Sequence, residues 1–500
     1  MRPILNSQQI READAFTIAN EPISSVNLME RAASAFTQKF LELFASVPSV
    51  AVVCGVGNNG GDGLAIARML QGEVGHIEVY VVGNLEKASE DFRVNYDRLG
   101  ERLSPKIVVD ESQIPEFDTS LIIDGMFGSG LSRPVEGVYA QVIERINASE
   151  AQVCAIDIPS GLFADKPTPS AGAVVEATHT ISFQLPKLVF FMPSAASYVG
   201  SWHVVPIGLS EEFLLQQTTD KWQIELRDIH LPLKRRFDHK GTNGRVLLVA
   251  GSKGKMGAAI LSAKAALRSG CGLLFAHVPC CGLDILQVAV PEAMVEVDEH
   301  TEIISEVLPE EQIDVIVIGP GIGTGKLTEN ALAQLLQKAT APMVMDADAI
   351  NILAANTHLL SAVPPESVLT PHPGEFKRLV GDWKDDFEKL EKLKAFCKKY
   401  QLNMVLKGAY SAVCDTKGQI TFNPTGNPGM ATGGSGDVLT GVIGALIGQG
   451  MNPLEALRAG VYIHGLAGDL AAHAQGYRSM TASDIVAMLP QAINQLDKKC

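Results

Sequence analysis

Residues 432–441 place glycines and one acid immediately before an apolar stretch, 436–447, that is expected to be helical. Their sequence is Thr-Gly-Gly-Ser-Gly-Asp-Val-Leu-Thr-Gly. Main-chain amides at the start of a helix bind anions, and the helix dipole favours negative charge there. Asp437 lies beside these amides, where a carboxylate can accept the proton of a hydroxyl that attacks a phosphate. Because an acid in the first turn is also a common helix cap, this role for Asp437 depends on the neighbouring loops.

Four further loops of the second half follow predicted strands or join two of them. They are residues 319–325, 346–351, 370–375 and 407–411. A single histidine is usually structural, but His372 lies in a loop between two prolines, where it can donate a hydrogen bond to a ligand. The chain has no GxxxxGK[ST] segment, which argues against a P-loop enzyme. These loops favour phosphoryl-transfer chemistry at a site without a P-loop.

The first half carries three polar loops, residues 55–63, 124–134 and 155–161, that each follow a predicted strand. Residues 55–63 contain G-x-G-x-x-G, which alone is weak support for dinucleotide binding. A hydride-transfer enzyme should also place an acid at the end of the next strand to hold the ribose. That strand is followed by Gly83-Asn84 instead, which argues against a dehydrogenase.

Ligands of open parallel sheets bind outside the carboxyl ends of the strands. We therefore expect Asn59, Asp124, Asp157 and Ser160 to meet in one crevice, with the amides of residues 128–131 able to hold a phosphate. Each Asp taken singly is compatible with a strand-end cap. Three loops that meet at one edge favour a binding site.

The elements that position these loops alternate between short apolar runs and amphipathic stretches, which predicts two α/β domains with largely parallel sheets. In the first half we expect a helix over 27–44, a turn over 55–62, a helix opening over 64–70, and strands over 49–54, 77–82, 121–124, 153–156 and 180–183. In the second half we expect strands over 246–250, 273–278, 315–318, 343–346, 368–369, 404–406 and 412–414, and helices over 436–447, 453–472 and 481–496. The polar stretch 211–241 interrupts the pattern, so the domain boundary is predicted near residues 220–235.

Composition limits the class of protein. A chain of 500 residues with 46% hydrophobic and 19% charged residues is expected to form two or three globular domains. The net charge of −15 and the short basic run at 234–236 argue against nucleic-acid binding. Eight scattered Cys residues without a CxxC pair predict reduced, mostly buried thiols. We expect no signal peptide and no membrane span, hence a cytoplasmic protein.

The three loops of the first half resemble those of the YjeF N-terminal family, the NAD(P)H-hydrate epimerases. The motifs are Gly-Asn-Asn-Gly-Gly-Asp-Gly, Asp-Gly-Met-Phe-Gly-Ser-Gly-Leu and Asp-Ile-Pro-Ser-Gly. The resemblance implies a Rossmann-like three-layer sandwich in a domain over 1–218, with K⁺ held by Asn59, Asp124 and Ser160 and with Asp157 as the catalytic proton relay. It implies that hydrated NAD(P)H is bound by Asn58, Asn59, Gly60, Gly61, Asp62, Gly128, Ser129, Gly130, Leu131, Ser132, Arg133, Pro134 and Asp157.

The loops of the second half resemble the ribokinase-like superfamily and, within it, the NAD(P)H-hydrate dehydratases. The motifs are His-Lys-Gly-Thr at 239–242, Gly-Ser at 251–252, Met-Gly-Ala-Ala at 256–259, Ile-Gly-Pro-Gly at 318–321, Thr-Pro-His-Pro-Gly-Glu at 370–375 and Gly-Gly-Ser-Gly-Asp at 433–437. The resemblance implies a ribokinase-like α/β sandwich over 225–500, ADP or ATP as phosphate donor, and Mg²⁺ near Glu375.

The same resemblance assigns residues to the two ligands, with Asp437 as the catalytic base. The hydrate is expected at Ala258, Gly321, His372 and Asp437. The nucleotide is expected at Lys407, Gly408, Ala409, Tyr410, Ser411 and Gly436. The family also suggests a homo-oligomer.

Two alternatives remain open at this point. A kinase of a small alcohol, fused to a non-catalytic Rossmann-like ligand-binding domain, would share the anion loop and Asp437. Alternatively, the first half is a non-enzymatic scaffold, as related folds are in mRNA-decapping proteins, although its polar loop residues are all present. Only the epimerase interpretation explains why the two halves share one chain, since a dehydratase that acts on one epimer needs the other converted.

Overall fold

The computed structural model describes residues 1–100, 103–308 and 312–497. The chain divides into two compact units. The first unit comprises Pro3–Thr219 and Asp385–Phe387, and the second comprises Met1–Arg2, Asp220–Lys384 and the chain from Glu388 onward. Each unit contains one sheet.

The first strand of the chain, β1 (Arg2–Pro3), belongs to the sheet of the second unit. The sheet of the first unit is entirely parallel. Its strands are β2 (Ser49–Gly55), β3 (His76–Val82), β4 (Lys106–Val108), β5 (Leu121–Gly125), β6 (Gln152–Ile156), β7 (His179–Phe183) and β8 (Ser201–Val205). Their order is β4-β3-β2-β5-β6-β7-β8. The direction of winding reverses between β2 and β5, which opens a crevice beyond the carboxyl ends of these two strands.

Helices cover both faces of this sheet. They are α1 (Ser7–Asn20), α2 (Ser25–Leu43), α3 (Asn58–Met69), α4 (Glu90–Asp97), α5 (Val138–Asn147), α6 (Ala196–Val199) and α7 (Glu211–Gln216). Along β2, Val50 and Val52 pack with Phe36 of α2, whereas Ala51 and Val53 pack on the other face, with Ile143 of α5. A strand that is buried on both faces explains why β2 is continuously apolar rather than alternating.

The second unit contains a mixed sheet with a parallel centre. Its strands besides β1 are β9 (Lys221–Gln223), β10 (Arg245–Val249), β11 (Leu273–Pro279), β12 (Met294–Asp298), β13 (Val315–Ile318), β14 (Met343–Met345), β15 (Val368–Leu369), β16 (Asn403–Leu406), β17 (Ala412–Cys414) and β18 (Ile420–Phe422). The order is β1-β9-β18-β17-β16-β15-β14-β13-β10-β11-β12, and β17 pairs antiparallel with β16 and β18. The winding reverses between β10 and β13, where the loops at 251 and 319 begin.

The helices of the second unit are α8 (Met256–Arg268), α9 (Leu283–Ala289), α10 (Lys326–Lys338), α11 (Ala347–Ala355), α12 (Pro373–Val380), α13 (Asp386–Tyr400), α14 (Ser435–Gly448), α15 (Pro453–Gln475) and α16 (Ala482–Asp497). Helix α14 is almost wholly buried and packs against α8 and the sheet. Short 3-10 turns lie at Leu85–Lys87, Glu111–Gln113, Leu188–Phe191, Pro193–Ala195, Leu226–Asp228, Cys280–Gly282, Thr357–Ala362 and Pro428–Met430.

Two sequence-based expectations are corrected. The turn expected over 55–62 is shorter, because α3 begins at Asn58 and includes the glycines in its first turn. The interrupting stretch 211–241 contains α7 and the strand β9, which pairs with β18. None of the helices in the described ranges is both long and apolar enough to span a membrane. The seven cysteines in those ranges form no disulfide, and five of them are buried.

Candidate active sites

Asn59, Asp124 and Ser160 meet at the reversal point of the first sheet. Asp124 is the last residue but one of β5, its side chain is fully buried, and both of its carboxylate oxygens accept hydrogen bonds from Ser160. The Ser160 hydroxyl lies 2.6 Å from Oδ1, and the Ser160 amide lies 2.7 Å from Oδ2. Burial raises the pKa of Asp124 to about 6. The Asn59 amide Nδ2 donates to the carbonyl of Ile156 at 3.4 Å, which brings the α3 and β6 loops together.

The glycines of this site allow close approach. A Cβ at Gly60 would lie 1.7 Å from the carbonyl oxygen of Gly55, so only glycine fits where α3 begins. A Cβ at Gly128 would lie 3.4 Å from Oδ1 of Asn59, which places the loop after β5 directly against the start of α3. The loop 128–134 is half-buried or exposed along its length. This loop therefore forms an accessible edge beside the start of α3, where Asn59, Gly60 and Gly61 are buried.

Asp157 follows β6 in a left-handed backbone conformation, with φ of 64°. Its Oδ1 lies 2.6 Å from Nζ of Lys187, a lysine whose side chain is only 3% exposed. Ser182 Oγ and the Phe183 amide also donate to Oδ1, each at 3.2 Å. The strained backbone and these three donors fix the carboxylate in one orientation.

Two further carboxylates surround Asp157. Burial and the charge of Asp157 raise the pKa of Asp14, on α1, to about 6. Burial and the charges of Asp157 and Asp14 also raise the pKa of Asp62 of α3. Lys187 opposes this trend at Asp14 by lowering its pKa. The crevice thus contains three acids around one buried lysine.

The anion loop of the second unit has the predicted geometry. Gly434 lies immediately before α14 with φ of 90°, a conformation that favours glycine. Asp437 lies in the first turn with a half-buried side chain, and its carbonyl accepts a 2.8 Å hydrogen bond from Ser262 of α8. Burial and the nearby Asp346 carboxylate raise the pKa of Asp437 to about 6. A carboxylate that is ready to accept a proton near neutral pH therefore lies beside free helix amides.

A buried ion pair lies under this loop. Lys407 Nζ is 2.8 Å from Oδ1 of Asp346, and the Thr440 hydroxyl donates to Oδ2 at 2.8 Å. Burial favours the neutral acid, but the Lys407 charge outweighs it and holds the pKa of Asp346 below its usual value. Burial lowers the pKa of Lys407, but Asp346, Glu375 and Asp437 raise it above the ordinary value. A Cβ at Gly436 would lie 3.2 Å from Nζ, so the ammonium lies against the start of α14.

His372 has a structural partner for each ring nitrogen. It caps α12, where Nδ1 accepts from the Gly374 amide at 2.9 Å and Nε2 lies 3.3 Å from a Glu375 oxygen. The Glu375 side chain is buried and its other oxygen accepts from the His372 amide at 2.8 Å. His372 therefore directs its Nε2 toward Glu375. About half of its side-chain surface, 52%, is exposed and can contact a ligand.

The remaining predicted contacts lie at the same strand ends. Gly321 has φ of 69°, and a Cβ there would lie 3.3 Å from Cβ of Ala258, so these two residues adjoin. The segment 407–411 joins β16 to β17 and is half-buried or exposed. Its Ser411 hydroxyl lies 3.3 Å from the Gly408 amide, which closes the turn. Lys407 connects this segment to Gly436 and the anion loop.

Sequence reasoning missed the residues that support both sites. Lys187 comes four residues after β7, so a lysine just beyond a predicted strand end was the available signal. The sequence pattern places Asp346 in the loop 346–351 and Thr440 in the anion loop, but it does not indicate that either residue supports the site. Asp14 lies on a helix without a motif, and only the fold brings it to the crevice. His464 of α15 is also buried, 3.4 Å from Ser435, and burial lowers its pKa to about 4.

Comparison with known proteins agrees with this geometry. The model of the YjeF-related protein N-terminus matches residues 25–189, and the NAD(P)H-hydrate dehydratase model matches residues 246–491. A ribokinase-like superfamily protein from Enterococcus faecalis is 28% identical, with a TM-score of 0.50 over 56% of this chain and 98% of that one. The α/β fold predicted for the second half is confirmed.

Whole-chain relatives cover both units. A bifunctional NAD(P)H-hydrate repair enzyme from Moorella thermoacetica is 35% identical over 99% of this chain and 97% of its own length. One from Escherichia coli is 36% identical over 93% of this chain and 89% of its own length. One family model matches each half of the chain, and the full-length relatives cover both halves. The chain therefore belongs to the bifunctional NAD(P)H-hydrate repair enzyme family.

Proposed function

We propose that the chain repairs hydrated NADH and NADPH in two steps, at two sites. Residues 1–218 form the epimerase domain, which interconverts the R and S hydrates, and residues 225–500 form the dehydratase domain, which returns the S hydrate to NAD(P)H with ADP or ATP. The observation that carries the proposal is Asp437 beside the free amides of α14, with the Lys407 ammonium against Gly436. A base, an anion site and a cation in one place suit phosphoryl transfer to a hydroxyl.

The dehydration follows from the chemistry of the leaving group. Hydroxide is a poor leaving group, so the ring hydroxyl is phosphorylated first. Asp437 takes the hydroxyl proton and the hydroxyl oxygen bonds to the terminal phosphorus of the nucleotide. The bond between that phosphorus and the rest of the nucleotide breaks. The lone pair of the ring nitrogen then expels phosphate, and loss of a ring proton gives NAD(P)H. The products are NAD(P)H, phosphate and a nucleotide shorter by one phosphate, so the step balances.

The ligand contacts proposed for the second unit keep the predicted assignment. Ala258, Gly321, His372 and Asp437 contact the hydrate, and residues 407–411 with Gly436 contact the nucleotide. The buried Glu375 carboxylate is 5% exposed and suits a place near Mg²⁺, which favours carboxylate oxygens. Bound Mg²⁺ would neutralise phosphate charge during transfer. The Lys407 charge acts in the same direction from the protein side.

The epimerase site is proposed around Asp157. Inversion of the hydroxyl-bearing carbon requires one of its bonds to break and to re-form on the other face, and Asp157 takes the hydroxyl proton during this step and returns it. The hydrate is proposed to lie along residues 58–62 and 128–134. Asn59, Asp124 and Ser160 supply carboxylate, hydroxyl and amide oxygens within one buried cluster, and such oxygens suit K⁺. A potassium ion there would attract the negative cofactor phosphates to the crevice.

The remaining assignments are extensions of the family membership. We propose that the chain acts as a homo-oligomer in the cytoplasm. The acidic net charge of −15 and the free cysteines of the described ranges support a cytoplasmic enzyme. The small-alcohol kinase alternative is disfavoured, because full-length relatives carry both halves in the same order.

Replacement of Asp437 tests the dehydratase assignment. Asp437→Asn removes the proton acceptor but keeps the size of the side chain, so we expect ATP-dependent recovery of the reduced-nicotinamide absorbance from the S hydrate to fall about 100-fold or more. Binding of ATP, measured by calorimetry, should stay within a few-fold of wild type. Full dehydration by Asp437→Asn would refute the role of this carboxylate.

The pH dependence of dehydration tests the environment of Asp437. Because its pKa is raised to about 6, the carboxylate is protonated and inactive below that pH and ionised above it. The rate at saturating S hydrate should therefore rise through pH 6 and level off above it. A rate that is already maximal at pH 5 would contradict this environment.

Replacement of K⁺ by tetramethylammonium tests the cation site. Wild-type epimerisation is expected to slow when K⁺ is removed, whereas Asp124→Asn should be slow in both buffers and show no response to K⁺. Dehydration of the S hydrate by both proteins, measured in the same buffer, controls for folding. A K⁺ response that is undiminished in Asp124→Asn would place the cation elsewhere.

A further inference from the structure

Asp157 and Lys187 form a deeply buried ion pair in the first unit. The pair lies beside the candidate ligand site of that unit. The lysine side chain is 3% exposed and the aspartate side chain 11%. Moving an ammonium and a carboxylate out of water is unfavourable unless each ion finds close partners. Such a pair at a strand end therefore needs a reason beyond filling the core.

Three hydrogen bonds reach the Asp157 carboxylate, and all three end on one oxygen. Lys187 Nζ, Ser182 Oγ and the Phe183 amide all donate to Oδ1. Among the residues that the structure describes, none donates a hydrogen bond to Oδ2. The carboxylate is therefore anchored through one oxygen, and the other keeps its lone pairs for a ligand.

The anchor is itself held in place. Lys187 Nζ also donates to Ser182 Oγ at 3.0 Å and to the carbonyls of Phe183 and Leu185 at 3.3 and 3.4 Å. These four acceptors saturate the three protons of the ammonium, so Lys187 has no proton to spare for a substrate. Its effect on the reaction must pass through Asp157.

We propose that Lys187 is a positioning residue of the epimerase site, which fixes Asp157 through Oδ1 and leaves Oδ2 as the oxygen that exchanges a proton with the substrate hydroxyl. The inference rests on the proposed epimerase function. As the hydroxyl proton moves to Oδ2, the hydroxyl becomes a carbonyl and the bond between that carbon and the ring nitrogen breaks. The nitrogen then adds to the other face of the carbonyl and the proton returns to the oxygen, so no other reactant is consumed. Lys187 also brings a positive charge to Asp157, which lies near two other acids.

The charged groups facing Asp157 make this compensation necessary. Asp14 on α1 and Asp62 on α3 both act on Asp157 electrostatically, and Lys187 is the cation among them. Lys187 lowers the pKa of Asp14, so its removal would leave three carboxylates near one another without that opposing charge.

The test compares Lys187→Met with Lys187→Arg in the full chain, and with Lys39→Met, which removes a partly exposed lysine of α2 that pairs with Glu42. For Lys187→Met we expect the epimerisation kcat to fall about 100-fold at pH 7 with little change in KM. Lys187→Arg keeps a positive charge and a hydrogen-bond donor, so it should keep more activity than Lys187→Met, and Lys39→Met should match wild type.

Dehydration of the S hydrate by the same protein is the folding control, since it uses the other unit. The inference is overturned if Lys187→Met keeps the wild-type kcat, or if its loss appears in KM and not in kcat. It is also overturned if Lys187→Arg is as slow as Lys187→Met. Absence of epimerisation in the wild-type chain would instead refute the proposed function.

Discussion

Both units depend on an aspartate that is paired with a lysine at the carboxyl end of its sheet. Asp157 pairs with Lys187 at 2.6 Å in the first unit, and Asp346 pairs with Lys407 at 2.8 Å in the second. Removing one member of such a buried pair costs about 3–5 kcal/mol, because the other charge is left without a partner. The pairs allow charged groups that perform or support the chemistry to remain in a dry site.

The two pairs serve their sites differently. Lys187 is enclosed by four acceptors and touches the catalytic candidate itself. Lys407 instead lies against Gly436 at the start of α14, close enough that a Cβ there would be 3.2 Å from Nζ. The second pair therefore adds positive charge to a helix terminus that already favours anions. The first holds an acceptor, and the second strengthens an anion site.

Much of the fold and part of each site could be predicted from sequence. Buried parallel strands read as continuous apolar runs, and the loops that follow them are glycine-rich and polar, so Asp124, Asp157 and Asp437 could be found by position. The start of α3 was misjudged, because two Asn and several glycines favour a turn by local propensity although tertiary packing extends the helix to Asn58. Lys187 and Asp14 were missed because their roles arise only when distant segments pack together.

The central claim is that two sites act in series on one metabolite, and pure R hydrate of NADPH tests it most directly. The wild-type chain with ATP should convert this epimer completely to NADPH, with the S hydrate formed on the way. Asp157→Asn should convert the S hydrate normally but the R hydrate no faster than a protein-free solution allows epimerisation. If Asp157→Asn converts the R hydrate at the wild-type rate, the first unit is not the epimerase and the account is wrong.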